Sequence, residues 1–217
     1  MNVRRPVTAS ILLLCLGLTV QALPVKLGEV EIGLESYDGY QEGMAYLSMD
    51  EKGEGLEILI GYKGFGLDTV TWTMGSEDLT AFADAALQAA WWRSRLLEMT
   101  VDQTVLKEVT KLDPSLIYTY RSSNFPFESA EHILNFERQG RDYALVMSED
   151  AAGADTRKSG DKTLPILIMH FSGRELPELR DMLTEENRTA VLTAYLEKKA
   201  AIQKILENGP SQTDEGM

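Results

Sequence analysis

Hydrophobic and polar residues alternate along residues 25–74, a pattern typical of short strands with one buried face. The alternation slips by one position near Gly28, which predicts a β-bulge there. Turns are expected at Asp38-Gly39, at Glu42-Gly43 and in the polar stretch of residues 50–55. The segment therefore predicts an antiparallel meander, whose later strands are residues 44–49, 56–62 and 69–74.

An amphipathic helix is predicted over residues 77–98. Ser76 is expected to cap its N-terminus, and the acidic Glu77 and Asp78 suit the positive end of the helix dipole. Arg93 and Arg95 suit the opposite end. The apolar stripe that should face the sheet consists of Leu79, Phe82, Ala83, Ala86, Ala90 and Leu97.

The second half of the chain predicts further strands and then two helices. Residues 101–112 fit a helix or a strand, residues 124–127 a connection, and residues 148–162 a polar, mobile loop. Ser172 and Glu175 form the S-x-x-E pattern of a capping box, which should open a helix. The last helix should begin after Thr184, span residues 185–206 and stop at the sequence Asn-Gly-Pro that follows. The strands expected here are residues 116–121, 133–138, 143–147 and 164–171.

The predicted fold class is α+β, with antiparallel β-meanders packed against amphipathic helices. Residues 23–208 should form a single domain and residues 209–217 a flexible tail. At an offset of 97 positions, Leu79 matches Leu176 and Phe82 matches Leu179, which indicates an internal repeat with tandem halves of residues 23–99 and 100–208. The alternative is that any two amphipathic helices that follow strands look alike.

The first 22 residues have the three parts of a secretory signal peptide. Arg4 and Arg5 are basic, residues 11–20 are an apolar run, and Ala22 ends a small-residue cleavage site. The run is shorter than the roughly 20 apolar residues that span a bilayer. We therefore expect an exported protein, periplasmic or secreted, without a stable membrane span after cleavage; an uncleaved membrane anchor is the alternative.

The charge of the chain argues against a nucleic-acid partner. The whole chain has a net charge of −13, and cleavage would leave 19 basic residues against 34 acidic ones, or −15. Nucleic-acid binding depends on cations that neutralise phosphates. The repeated order of strands and helix resembles the tandem folds of the Whirly and Pur-type nucleic-acid binders in the order of elements only, and none of their motifs is present, so their function is not carried over.

Few residues offer catalytic or metal-binding chemistry. Cys15 is the single cysteine and lies in the signal segment, so thiol catalysis and disulfides are excluded from the mature chain. His132 and His170 are the only histidines, which gives no histidine-rich metal site. The glycines at 61, 64 and 66 lack the spacing of a phosphate-binding loop and are better read as a bulge or bend. No catalytic residue, metal ligand or cofactor is predicted.

The tryptophan pair on the predicted helix is the candidate contact site for a ligand or partner. Trp91 lies near the apolar stripe, whereas Trp92 should sit at its border. The candidate site also includes Arg93 and Arg95. Aromatic anchors mark interfaces, but they also fill cores, and this second reading stays open.

Two functional classes follow. The first is a non-enzymatic, acidic envelope protein that binds a partner protein or a small ligand. The second is a hydrolase in the periplasm or extracellular space that uses carboxylates or a metal ion held by them. A cleft where two or three acids converge with His170 would favour the hydrolase, and an apolar pocket between sheet and helices would favour ligand binding.

We predict that the mature protein begins at Leu23, because the three-part signal ends at Ala22. N-terminal sequencing of the exported protein checks this prediction. An intact Met1 on exported protein would contradict it and would favour the anchor.

Overall fold

The computed structural model describes residues 25–64, 67–99, 104–127, 131–139, 142–150, 154, 156–159 and 161–208. The predicted signal peptide and the C-terminal tail lie outside these residues. Over the described residues, ten strands form one antiparallel sheet and three helices pack against it, which confirms the α+β class. The elements of the first part are β1 (Val25–Ser36), β2 (Gly39–Met49), β3 (Leu56–Gly64), β4 (Leu67–Met74) and α1 (Ser76–Glu98).

The second part of the chain adds eight strands and two helices within the described residues. Two of these strands, β10 and β11, form a separate hairpin, whereas the others join the large sheet. The strands are β5 (Val105–Leu112), β6 (Ser115–Tyr120), β7 (Ser123–Phe127), β8 (His132–Gln139), β9 (Asp142–Glu149), β10 (Thr156–Ser159), β11 (Lys162–Pro165) and β12 (Ile168–Ser172). The helices are α2 (Leu176–Leu183) and α3 (Glu185–Asn208).

The meander predicted for the first part is confirmed, since β1 to β4 are neighbours in chain order. The pairing of β1 with β2 shifts register between Lys26 and Gly28, as the slipped alternation predicts. The turn expected at Glu42-Gly43 is wrong, because Gly43 pairs with Ile32 inside β2. The chain has already reversed at Tyr37 and Asp38, where Gly39 takes a φ of +119° that suits glycine.

Three predictions for the second part need correction. Residues 124–127 belong to β7 rather than to a connection, and Pro126 is tolerated there because β7 is an edge strand of the sheet. Part of the predicted polar loop forms β10, which pairs with β11. The single apolar strand expected over residues 164–171 is divided between β11 and β12. Within the ambiguous segment of residues 101–112, residues 105–112 form strand β5, and residues 101–103 lie outside the described residues.

The large sheet is strongly curled. Its strand order is β5-β8-β9-β12-β1-β2-β3-β4-β6-β7, so β5 and β6 are eight strand steps apart. In a flat sheet with strands about 4.8 Å apart, that separation would be about 38 Å. Only Asp113 and Pro114 connect β5 to β6, and three Cα–Cα steps span at most about 11 Å. The two ends of the sheet must therefore face each other.

Side-chain contacts join the two ends of the curled sheet. The indole Nε1 of Trp72 on β4 donates a hydrogen bond to Nε2 of His132 on β8, at 3.2 Å, although these strands are six steps apart in the sheet. Both side chains are almost fully buried. A buried hydrogen bond between such distant strands holds the inner faces of the two ends together.

Arg157 on β10 makes a second connection between the ends. It forms an ion pair with Glu149 at the end of β9, and its guanidinium lies 4.7 Å from the centre of the Phe127 ring on β7. Tyr118 on β6 donates its hydroxyl to the backbone oxygen of Pro165, at 2.9 Å. Burial of this side chain also raises the pKa of Tyr118 to about 12. The small hairpin thus packs across the gap between the two ends.

Helix α1 lies against the inner face, and its boundaries match the prediction closely. Phe82 is fully buried and packs edge-on against Phe171 of β12, with ring centres 5.6 Å apart. The predicted cap is wrong, since Gly75 is the N-cap residue and no side chain caps the helix. The predicted stripe is wrong at its end, because Leu97 is exposed and Leu96 packs on the core. The buried residues of the helix are Leu79, Phe82, Ala85, Ala86, Ala89 and Ala90.

The two C-terminal helices are anchored differently. The predicted capping box does not form, because α2 begins after Glu175 without a side-chain cap. Thr184 does cap α3, since its hydroxyl accepts a hydrogen bond from the backbone nitrogen of Asn187 at 3.3 Å. Lys199 and Tyr195 on α3 both bind Glu51 in the β2–β3 loop, and these bonds lower the pKa of Glu51.

Among the described residues, no helix has the length and apolar composition needed to cross a bilayer.

The proposed halves of the chain share one sheet instead of forming two. Strand β12 pairs with β1 and strand β6 pairs with β4, so strands after residue 100 flank the first meander on both sides. Each part does end in a helix that follows strands, and α1 packs against α2. The internal repeat itself stays a prediction.

We predict that Phe82→Ala lowers the free energy of unfolding by about 3–5 kcal/mol, because it empties a fully buried aromatic site. The matched control is Leu87→Ala on the same helix, where the side chain is 54% exposed and the loss should stay below about 0.5 kcal/mol. Urea unfolding of both variants and the parent measures the difference. Equal losses would mean that the assigned face of α1 is wrong.

A mixed-charge cleft as the candidate functional site

A cleft of about 610 Å³ lies beside strands β8, β9, β12 and β1 and the last turns of α1. It is lined by residues of β8, β9, β12 and β1, by the β1–β2 hairpin and by the last turns of α1. Its volume falls in the usual range for small-ligand sites, about 300–1,000 Å³. The charged or titratable side chains that line it are Glu35, Arg93, Glu137, Asp142, His170 and Arg174.

His170 and Glu35 form a hydrogen-bonded pair on one side of the cleft. His170 alternates with the buried Met169 and Phe171 along β12, so its ring points to the outer face. His170 lies next to Gly33 in the sheet, and its Nε2 is 3.2 Å from Oε2 of Glu35. The carboxylate fixes the orientation of the ring in the cleft.

Tyr40 covers the neighbouring backbone because Gly33 has no side chain. A Cβ atom at Gly33 would lie 2.0 Å from the hydroxyl oxygen of Tyr40, so the phenol takes this position because residue 33 is glycine. The Tyr40 ring meets the His170 ring edge-on, with centres 6.1 Å apart. Tyr40 therefore forms an aromatic wall beside the histidine.

A row of outward-facing residues forms the floor of the cleft. Glu137 on β8 pairs with Ala144 on β9, which in turn pairs with Ser172 on β12. The three residues therefore lie side by side on neighbouring strands and point to the same face. Ala144 is the small residue in the middle, and it leaves open space between the polar residues on either side.

Close packing at the end of β12 positions Arg93. The backbone nitrogen of Gly173 donates a hydrogen bond to the carbonyl oxygen of Tyr143 at 2.5 Å. A Cβ atom at Gly173 would lie 2.9 Å from that oxygen and 3.2 Å from Nε of Arg93. The α1 side chain thus packs directly over this glycine and extends into the cleft.

The opposite charges of the cleft do not neutralise each other. Neither Arg93 nor Arg174 forms an ion pair or a side-chain hydrogen bond with any described residue. The same holds, over the described parts of the chain, for Glu137 and Asp142. Two cations and two anions therefore line one cleft without an ion pair to any described residue.

The four residues of the sequence-predicted contact site do not form one site. Trp91 is 56% exposed, and Arg95 lies over its ring at 5.6 Å. Trp92 packs against Phe136 of β8, with ring centres 5.3 Å apart. The predicted order of burial is therefore wrong, since Trp92 and not Trp91 is the residue nearer the core. The helix turns about 100° per residue, which separates these neighbours. Of the four predicted contact residues, only Arg93 lines the cleft.

The sequence indicated two residues of the cleft, Arg93 and His170, but did not place them together. It gave no signal for Arg174, Glu137 or Asp142, because acids are frequent throughout the chain and strand alternation does not reveal which strands are neighbours. The glycine-rich stretch, by contrast, contains a register shift between Gly61 and Gly64, in agreement with a bulge; its third glycine lies outside the described residues.

Across the described parts of the chain, no three histidine, aspartate or glutamate residues are grouped closely enough to hold a metal ion. No family model matches the chain, no curated protein is significantly similar to it, and no solved structure matches it significantly.

We predict that Gly173→Ala is destabilising by about 1–3 kcal/mol, because its Cβ would clash with backbone that cannot move independently. Gly43→Ala is the matched control, since a Cβ there would meet its nearest atom at an ordinary 3.7 Å. Thermal unfolding of the two variants measures the difference. If both tolerate the methyl group equally, the packing of Arg93 over Gly173 is not as described.

Proposed function

We propose that the protein is an exported, non-enzymatic binding protein that takes a small polar ligand in the mixed-charge cleft. The observation that carries this proposal is a cleft of about 610 Å³ that holds charges of both signs without a partner among the described residues. Charged groups that a protein leaves unpaired in a cleft can form charge-assisted hydrogen bonds with a ligand. Tyr40 and Leu97 add apolar surface at its walls.

A small ligand fits the cleft better than a protein partner does. The charged groups line a concave space, and ligands in such sites are held by a few polar groups that fix their orientation. Protein interfaces instead centre on well-packed aromatic or arginine anchors. Trp91 with Leu87, one helical turn before it, is exposed in this way on another face of α1, and a partner contact there stays a prediction.

A hydrolase is the second candidate, and one observation favours it. Three acids and His170 line the cleft, and the Glu35 carboxylate orients the histidine ring. Ser172 lies two residues from His170 on the same face of β12. A histidine oriented by a carboxylate can act as a general base toward water or a hydroxyl group.

Ligand-induced stabilisation tests the proposed function. We expect at least one compound among free amino acids, short peptides, dicarboxylic acids, sugar phosphates and polyamines to raise the melting temperature of the mature protein. At a concentration about 100-fold above Kd, the rise should be about 5–10 °C. The double variant Arg93→Ala/Arg174→Ala should lose this rise.

Arg95→Ala is the matched control, because Arg95 is on the same helix as Arg93 but lies over Trp91 outside the cleft. It should keep the full response. A panel without any stabilising compound, or a rise that persists in the double variant, would contradict the proposal. Turnover of a bound compound that is lost in His170→Asn while binding remains would replace it with the hydrolase.

A further inference from the structure

We propose that the protein forms a symmetric homodimer through the outward face of α1, with two copies of this helix packed antiparallel around Leu87 and Trp91. This face is separate from the cleft, so the inference goes beyond the proposed ligand-binding function and does not rest on it. It follows from the exposed stripe along α1, from the apolar residues at the centre of that stripe and from the order of its charges.

The exposed stripe covers most of the length of α1. With successive residues 100° apart, the exposed residues of the helix fall within an arc of about 120°, except for Leu97, which lines the cleft. The buried residues of α1 lie on the opposite side of the helix. The stripe includes Asp84, Leu87, Trp91, Arg95 and Glu98. One side of α1 thus packs on the core, and the other side faces solvent.

Apolar side chains form the centre of the stripe. Trp91 lies in the middle of the arc and is 56% exposed, and Leu87, one turn earlier, is 54% exposed. The guanidinium of Arg95 lies 5.6 Å from the centre of the Trp91 ring and places a cation beside these apolar residues. An aromatic anchor surrounded by polar residues is typical of a protein interface.

The charges of the stripe favour a second copy in antiparallel orientation. Asp84 precedes Leu87, Arg95 follows Trp91, and both charged residues lie on the same flank of the stripe. In an antiparallel pair of helices related by a two-fold axis, each flank faces the same flank of the copy. Asp84 of each copy therefore faces Arg95 of the other. A parallel pair would instead bring like charges together, which repel.

One symmetry axis satisfies both kinds of contact. Leu87 and Trp91 have their midpoint at residue 89, and Asp84 and Arg95 have theirs half a residue further along the helix. When Leu87 faces Trp91 of the other copy, the acid and the base are thus also opposite each other, at two equivalent positions. A surface that is complementary to itself in this way is what a two-fold dimer requires.

Both charged residues are available for this contact. Asp84 is exposed and forms no ion pair or side-chain hydrogen bond with any described residue. Arg95 meets Glu98 at 3.5 Å, but both side chains are more than half exposed, so this pair contributes little. A contact made by one pair of helices is smaller than the interface of an obligate dimer, so we expect a dimer that dissociates on dilution.

Sedimentation equilibrium of the mature protein tests the inference. The average mass should rise with concentration toward twice the mass of the monomer, and Trp91→Ala should weaken the association at least about tenfold. A parent protein that stays monomeric up to about 0.5 mM would overturn the inference and leave this face to a different protein. A dimer that forms equally well in Trp91→Ala would overturn it too, because another face would then be the interface.

Charge reversals test the antiparallel arrangement. Asp84→Arg and Arg95→Asp should each weaken the association at least about tenfold, because each places like charges together at both symmetric contacts. An equal mixture of these two variants should regain the dimer. In the mixed pair, the introduced arginine faces the introduced aspartate, and the native Asp84 faces the native Arg95. Circular dichroism checks that each variant is folded, and association on mixing requires that both are.

The matched controls make the same changes of charge away from the stripe. Asp68→Arg on β4 and Lys198→Asp on α3 alter exposed residues, and each variant should associate as the parent does. Reversals within the stripe that behave like these controls, or a mixture that stays monomeric, would overturn the antiparallel dimer. The proposed ligand-binding function is tested separately, since a monomer that binds a compound in the cleft would contradict only the dimer.

Discussion

The short connection between β5 and β6 is the constraint on which the rest of the structure depends. Two residues, Asp113 and Pro114, join strands that are eight steps apart in the sheet. The sheet can satisfy this connection only by curling until its ends meet, since the link spans about 11 Å at most. The bond between Trp72 and His132 and the packing of Arg157 then stabilise the closed form. Because residues 25–208 contain no cysteine, the described part of the chain holds this shape through its core and these contacts, without a disulfide.

The link between β5 and β6 also holds the start of α1, the helix whose last turns reach the cleft. The backbone nitrogen of Asp113 donates a hydrogen bond to Oδ1 of Asp78 in the first turn of α1, at 3.1 Å. Arg93 lies fifteen residues further along the helix, about 22 Å away at 1.5 Å per residue. One end of α1 is therefore tied to the link, and the other places a guanidinium group over Gly173. The curl of the sheet and the position of Arg93 in the cleft therefore both depend on the link between β5 and β6.

Sequence patterns predicted the individual strands and helices well, but they did not predict which strands lie next to each other in the sheet. Alternation located the meander and the bulge at Gly28, because burial of one face is a local property. The curl could not be predicted, because strand order depends on which edges pair and not on their composition. The tryptophan pair shows the same limit, since Trp92 is covered by Phe136 of a strand more than 40 residues further along the chain. The cleft was not predicted because its charged residues come from separate strands and a helix, which meet only in the assembled fold.

The contact between Trp72 and His132 tests the curled sheet most directly. On a flat sheet these residues would be about 29 Å apart, six strand spacings, and no nuclear Overhauser effect could join them. At the 3.2 Å hydrogen bond of the structure, the indole N–H proton of Trp72 should show strong cross-peaks to the His132 ring, and Trp72→Phe should remove them. Cross-peaks from that indole proton to β3 and β6 alone would contradict the closed sheet.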